Sequence, residues 1–89
     1  MNSKWKVSLL RKANYEESTY LEKYPQIAWS ISYSIENRHF HTLYYDRDMN
    51  LLCKLSTYDR GDITVLTDKD EFDEHDWETI KEIEKQVLI

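Results

Sequence analysis

Residues 26–57 read QIAWSISYSIENRHFHTLYYDRDMNLLCKLST, and their periodicity decides the fold. Ile27, Trp29, Ile31, Tyr33 and Ile35 fall on every second position, with Ala28, Ser30, Ser32, Ser34 and Glu36 between them. A period of two marks a strand with one buried face and one wet face. Asn37-Arg38 reads as a two-residue turn, because Asn tolerates the positive φ that hairpin turns require. In the next run, 39–45, Phe40, Thr42 and Tyr44 share one face and His39, His41, Leu43 and Tyr45 the other. Neither face is purely polar, so both are expected to be partly covered. Asp46-Arg47-Asp48, with Asn50 nearby, has turn chemistry. A third run, 49–57, puts Met49, Leu51, Cys53 and Leu55 on one face.

Outward from this meander, Tyr58-Asp59-Arg60-Gly61-Asp62 surrounds the chain's only glycine. The β-branched run 62–67 reads as a short edge strand. Trp5, Val7 and Leu9 alternate with polar residues and predict an N-terminal strand. Asn14 with Glu17 has capping-box spacing, Tyr20, Leu21 and Tyr24 form an apolar stripe, and Pro25 stops the segment, so 15–24 is expected to be helical. Near the C-terminus Asp68 or Asp73 can cap a helix whose stripe is Trp77, Ile80, Ile83 and Val87. Lys81 and Lys85 each follow a glutamate, Glu78 and Glu82, by three residues on its outer face. The expected fold is α+β: one domain, residues 1–89, with a four- to five-stranded antiparallel meander packed against two helices in the order β-α-β-β-β-β-α.

Composition narrows function by exclusion. With 89 residues and a single cysteine, the chain has no intrachain disulfide, which favours a reducing cytoplasm. No apolar run approaches the roughly 20 residues that span a bilayer, and the N-terminus does not read as a signal peptide. One glycine leaves little material for a phosphate-cradling loop or an oxyanion turn. His39 and His41 point the same way on a strand and, with His75 or Cys53, form a candidate zinc set, but no second motif supports it. Cys53 among Met49, Leu51 and Leu55 reads as a buried hydrophobe rather than a nucleophile. The expectation is a protein that is not an enzyme and carries no cofactor and no metal.

Charge is the informative feature. The net charge is −5, yet residues 68–78 hold seven acids (Asp68, Asp70, Glu71, Asp73, Glu74, Asp76 and Glu78) against one Lys, while Lys4, Lys6, Arg11 and Lys12 lie together near the N-terminus. The helix dipole accounts for two or three of the acids. The remainder repel one another and point to a basic partner, for which a fixed row of carboxylates resembles backbone phosphates.

The α-β-β-β-α middle of the expected order is similar to that of double-stranded-RNA-binding domains. Those domains hold phosphates with basic residues at the start of their last helix, where this chain has acids. Direct nucleic-acid binding by that route is therefore excluded. In size, acidity, aromatic content and cysteine poverty the chain resembles phage-encoded counter-defence proteins of the DNA-mimic type.

The resulting expectation is a cytoplasmic inhibitor that covers a basic, nucleic-acid-binding surface, as anti-restriction or anti-CRISPR proteins do. Its binding residues would be the seven acids, with Tyr45 and Tyr58 as aromatic anchors. Two further readings stand beside it: an immunity protein or antitoxin that neutralises a nuclease, and a structural subunit that self-associates, for instance as a homodimer, through an open strand edge.

Overall fold

The computed structural model describes residues 5–8, 10–12, 22–35, 39–58 and 61–88. Six strands form one antiparallel sheet: β1 (Trp5–Val7), β2 (Arg11–Lys12), β3 (Ile27–Ile35), β4 (His39–Asp46), β5 (Leu51–Tyr58) and β6 (Ile63–Asp68). A one-turn 3-10 helix, Lys69–Glu71, leads into helix α1 (Glu74–Val87). The sheet order is β1-β3-β4-β5-β6, with β2 also on β3. The meander of the sequence reading is therefore present, and the chain is an antiparallel sheet with a C-terminal helix. The element order differs from expectation. The N-terminal strand is split in two, and the expected helix 15–24 falls largely outside the described residues. Where that stretch is described, Glu22 and Lys23 form a turn. The Asn37-Arg38 turn also lies outside the described residues.

The split of the first strand has a local cause. Ser8 pairs with Ser32 through its backbone N–H (2.7 Å to the Ser32 carbonyl) and its hydroxyl (2.9 Å from the Ser32 amide). Arg11 then lies opposite Ser30. Three steps on the edge strand thus match two on β3, which is a one-residue bulge.

Two further bulges flank the end of β4. The register shifts between Ile27 and Trp29 on β3, and between Leu51 and Cys53 on β5 opposite Tyr45 and Tyr44. Each inserted residue sends the side chains on either side of it to opposite faces. Ile27 thereby leaves the face of Ile31 and Tyr33, and Cys53 and Leu55 leave the face of Leu51. The strand faces expected to be uniform, Ile27 to Ile35 and Met49 to Leu55, are each divided between two cores.

The first core lies under α1: Ile31, Tyr33, Leu43 and Tyr45 pack with Phe72, Ile80 and Ile83, and Met49 and Leu51 border them. The second lies on the opposite face: Ile27, Tyr44, Cys53 and Leu55, bordered by Tyr24, Leu52 and Leu66. The β4–β5 turn is fixed by Asp46. Its carboxylate accepts from the Asp48 and Asn50 amides, both at 2.9 Å, and from the Asn50 side chain at 3.1 Å. The turn closes through Met49, a non-glycine residue at φ +67°.

Candidate partner-binding surface

The acidic segment runs from the end of β6 into the second turn of α1, and its members divide by task. Asp68 caps the 3-10 turn through the Asp70 amide (3.0 Å) and accepts the Tyr24 hydroxyl at 2.6 Å. These bonds, the Tyr24 one foremost, hold its carboxyl below the usual range. Asp73 caps α1. Its carboxylate accepts from the Asp76 amide at 2.8 Å while Asp76 accepts from the Asp73 amide at 3.1 Å, a reciprocal capping box. Asp76 also meets Lys54 at 3.0 Å, with side-chain exposures of 25% and 11%. Burial pushes the Asp76 carboxyl up, but the Asp73 amide and the Lys54 ammonium together outweigh it, and the net shift is downward.

Asp70, Glu71, Glu74 and Glu78 are exposed. Among the described residues, Asp76 is the one member of the seven with a cation within salt-bridge distance. Glu74 and Glu78 stand four apart on the helix face opposite Ile80 and Ile83. Lys81 and Lys85 follow on that outer face, as the dipole favours. The acidic surface is therefore the 3-10 turn and the first turns of α1, not the whole helix.

The two aromatic anchors separate. Tyr45 is 1% exposed and belongs to the core under α1, so its ring is closed to a partner. Neighbouring tyrosines occupy both faces of β4 at this point, and each is buried. Tyr58 is half-buried at the end of β5 and stands edge-on to His39 and His41, with ring centroids 5.2 and 5.8 Å away.

Around Tyr58 lies a concavity that the sequence did not announce. A pocket of about 230 Å³ between the start of α1 and the sheet is lined by Tyr33, His39, His41, Lys54, Tyr58 and His75, with Asp76 and Thr79 at its helix side. His41 Nδ1 and Ser56 Oγ share a hydrogen bond of 2.8 Å, and the His41 ring stacks on Tyr33 at 4.9 Å. Burial, seconded by Lys54 and His39, pushes the His41 pKa down to about 4, so its imidazole is neutral near pH 7. A serine beside a histidine is the beginning of a nucleophilic pair. Ser56 is 1% exposed, however, so its hydroxyl satisfies a buried ring rather than facing a substrate.

The common orientation of His39 and His41 was legible from their spacing of two, whereas their meeting with His75 was not. Cys53 occupies the opposite face of the sheet, which rules out a zinc set joining it to these histidines. Among the described residues, no three His, Cys, Asp or Glu side chains converge as metal ligands. Burial raises the Cys53 thiol to about 12, consistent with an inert side chain.

Comparison with protein-family models, with curated proteins and with solved structures gives no match for this chain. Among the described residues, no helix is long and apolar enough to cross a membrane.

Proposed function

We infer that this protein is a small acidic inhibitor whose first helical turns cover a basic, nucleic-acid-binding surface of a partner protein, in the manner of DNA-mimic counter-defence proteins. The observation that supports this reading is the division of labour at 68–78. The fold uses Asp68, Asp73 and Asp76 for caps and a salt bridge, yet it also carries Asp70, Glu71, Glu74 and Glu78 exposed and, among the described residues, without a cation at salt-bridge distance. Their mutual repulsion is a cost that a cationic partner relieves. Tyr58, half-buried in the pocket between the start of the helix and the sheet, is the aromatic anchor that remains next to Asp76.

The test is a capture experiment from cell lysate at low and high salt, with the wild type and an Asp70→Lys, Glu74→Lys, Glu78→Lys triple variant. These three positions leave both caps and the Lys54 pair intact, and the far-ultraviolet spectrum of the variant verifies that α1 is formed. The wild type should retain basic, nucleic-acid-handling proteins at low salt and lose them at high salt, where charges more than about 3 Å apart are screened in 1 M salt. The variant should lose them at both. Retention of the same proteins by the variant would remove the reading.

A further inference from the structure

The two edges of the sheet are not equivalent. One edge is β1 and β2, short, bulged and lined by Lys6, Arg11 and Lys12, which are exposed. Bulges and lysines are the features that discourage strand pairing. The other edge is β6, six residues without a register shift against β5, and its outer side has no strand beside it among the described residues. On β6, Ile63 and Val65 are 49% and 43% exposed, although their cross-strand neighbours Tyr58 and Ser56 belong to the helix-covered face. Helix α1 thus leaves an apolar strip along this edge. Asp62 and Asp68 bracket the strand: Asp68, paired with Cys53, falls on the opposite face from Ile63 and Val65, and exposed Asp62 immediately precedes the strand.

We propose that β6 is the docking edge for an extended segment of a basic partner, which joins the sheet as an additional strand. The segment alternates apolar residues, which cover Ile63 and Val65, with Lys or Arg, which meet Asp62 and Asp68. Main-chain hydrogen bonds supply affinity in this mode of recognition, and alternate side chains supply selection. A second copy of this chain fits the edge poorly. Antiparallel self-pairing centred on Val65 sets Asp62 of each copy opposite Asp68 of the other, acid against acid in a chain of net charge −5. The proposal rests on the acidic-inhibitor reading and adds the strand by which the partner is held.

The experiment uses the whole protein and a short synthetic peptide alternating lysine with valine and threonine. A second peptide of identical sequence carries N-methyl groups on alternate residues, which removes main-chain donors but keeps charge and side chains. The unmodified peptide should bind, protect amides within 63–67 from hydrogen exchange, and bind about tenfold more weakly to Val65→Lys and in the N-methylated form. The far-ultraviolet spectrum of Val65→Lys verifies that an exposed substitution leaves the sheet formed. Equal binding of both peptides, without protection at β6, would overturn edge docking while leaving the acidic surface standing. Binding by neither peptide overturns the proposal and counts against charge-led recognition as well. A concentration-dependent dimer whose contacts protect β6 would assign the edge to self-association instead.

Discussion

The two faces of this sheet are built from the same alternating strands but solve burial differently. On the helix side, α1 lowers Ile80 and Ile83 onto Ile31, Leu43 and Tyr45, and all five are essentially inaccessible. On the other side, among the described residues, the core of Ile27, Tyr44, Cys53 and Leu55 is confined to the end of the sheet bordered by Tyr24. Beyond it the face becomes hydroxylic: Ser32 and Thr42 share a hydrogen bond of 3.2 Å at the surface, and Phe40 is exposed. One face is thus a continuous helix-on-sheet layer and the other a local patch. The bulges at Ala28 and Leu52 make this possible, because they move side chains from the first face to the second where the patch begins.

The largest expected effect tests that difference directly. Ile83→Ala removes three carbons from the continuous layer, where rigid neighbours on both sides leave little room for collapse. A loss of about 3–4 kcal/mol is expected in urea unfolding. Leu55→Ala in the patch should cost about 2–3 kcal/mol, since its site is slightly open and adjoins half-buried Leu66. If Leu55→Ala proves the more damaging, the patch is the true centre of the fold and the comparison is inverted.

Next in size is a pH effect confined to the helix side. His41 binds a proton near pH 4 when folded and near its ordinary value of 6.5 when unfolded. Between those values the unfolded chain carries a proton that the native state refuses, so stability rises with pH. The contribution is complete above about pH 6.5 and lost as pH falls toward 4, a change of roughly 2 kcal/mol once solvent screening at this pocket-lining ring is allowed for. Asp76 acts in a lower window: its depressed carboxyl keeps its contribution above the ordinary carboxylate range and loses it as pH falls further. Urea midpoints of the wild type should drop between pH 7 and pH 5, while His41→Gln should be nearly flat there. An equal slope in both proteins would show that His41 is not the responsible group.

Much of this architecture was legible in the sequence, and what was missed has physical reasons. Three strands of the meander follow from period-two alternation and the fourth from its β-branched run, while the sequence offered Asp68 or Asp73 as helix cap and the fold uses both, Asp68 on the 3-10 turn and Asp73 on α1. The division of β5 between two cores was invisible, because Leu51, Leu52 and Cys53 are all apolar and a bulge among apolar residues breaks no pattern. Tyr44 and Tyr45 posed the same difficulty: adjacent aromatics on a strand covered on both sides are both buried. The histidine-lined pocket depends on His75 and His39, 36 positions apart, lining one concavity, which spacing within a strand does not encode. The acidic run was plain in composition, but its partition into capping, paired and exposed carboxylates depends on where Tyr24 and Lys54 come to lie in the fold.

That partition gives a smaller effect. Asp73→Ala removes the capping box and should cost about 1 kcal/mol, whereas Glu74→Gln, one position later and exposed, should change stability by less than about 0.5 kcal/mol. Equal losses at the two positions would mean that the exposed acids contribute to the helix as the cap does, and the case for a partner surface would weaken.

Another small effect lies where the β4–β5 turn touches the helix-side core. Met49 sits in the left-handed region, a conformation that costs a side-chain-bearing residue about 1 kcal/mol. Its half-buried side chain also borders the core under α1, where retaining a few methylene-sized groups is worth a similar amount. Met49→Gly removes the strain and the contact together, and glycine adds flexibility to the unfolded chain. Met49→Asn relieves part of the strain but places an amide against apolar neighbours. The two gains and losses nearly cancel, so both variants should lie within about 1 kcal/mol of wild type, with the net change for Gly slightly unfavourable. A clear stabilisation by Gly would show that the turn geometry outweighs the Met49 contact, and that the helix-side layer ends before it reaches the turn.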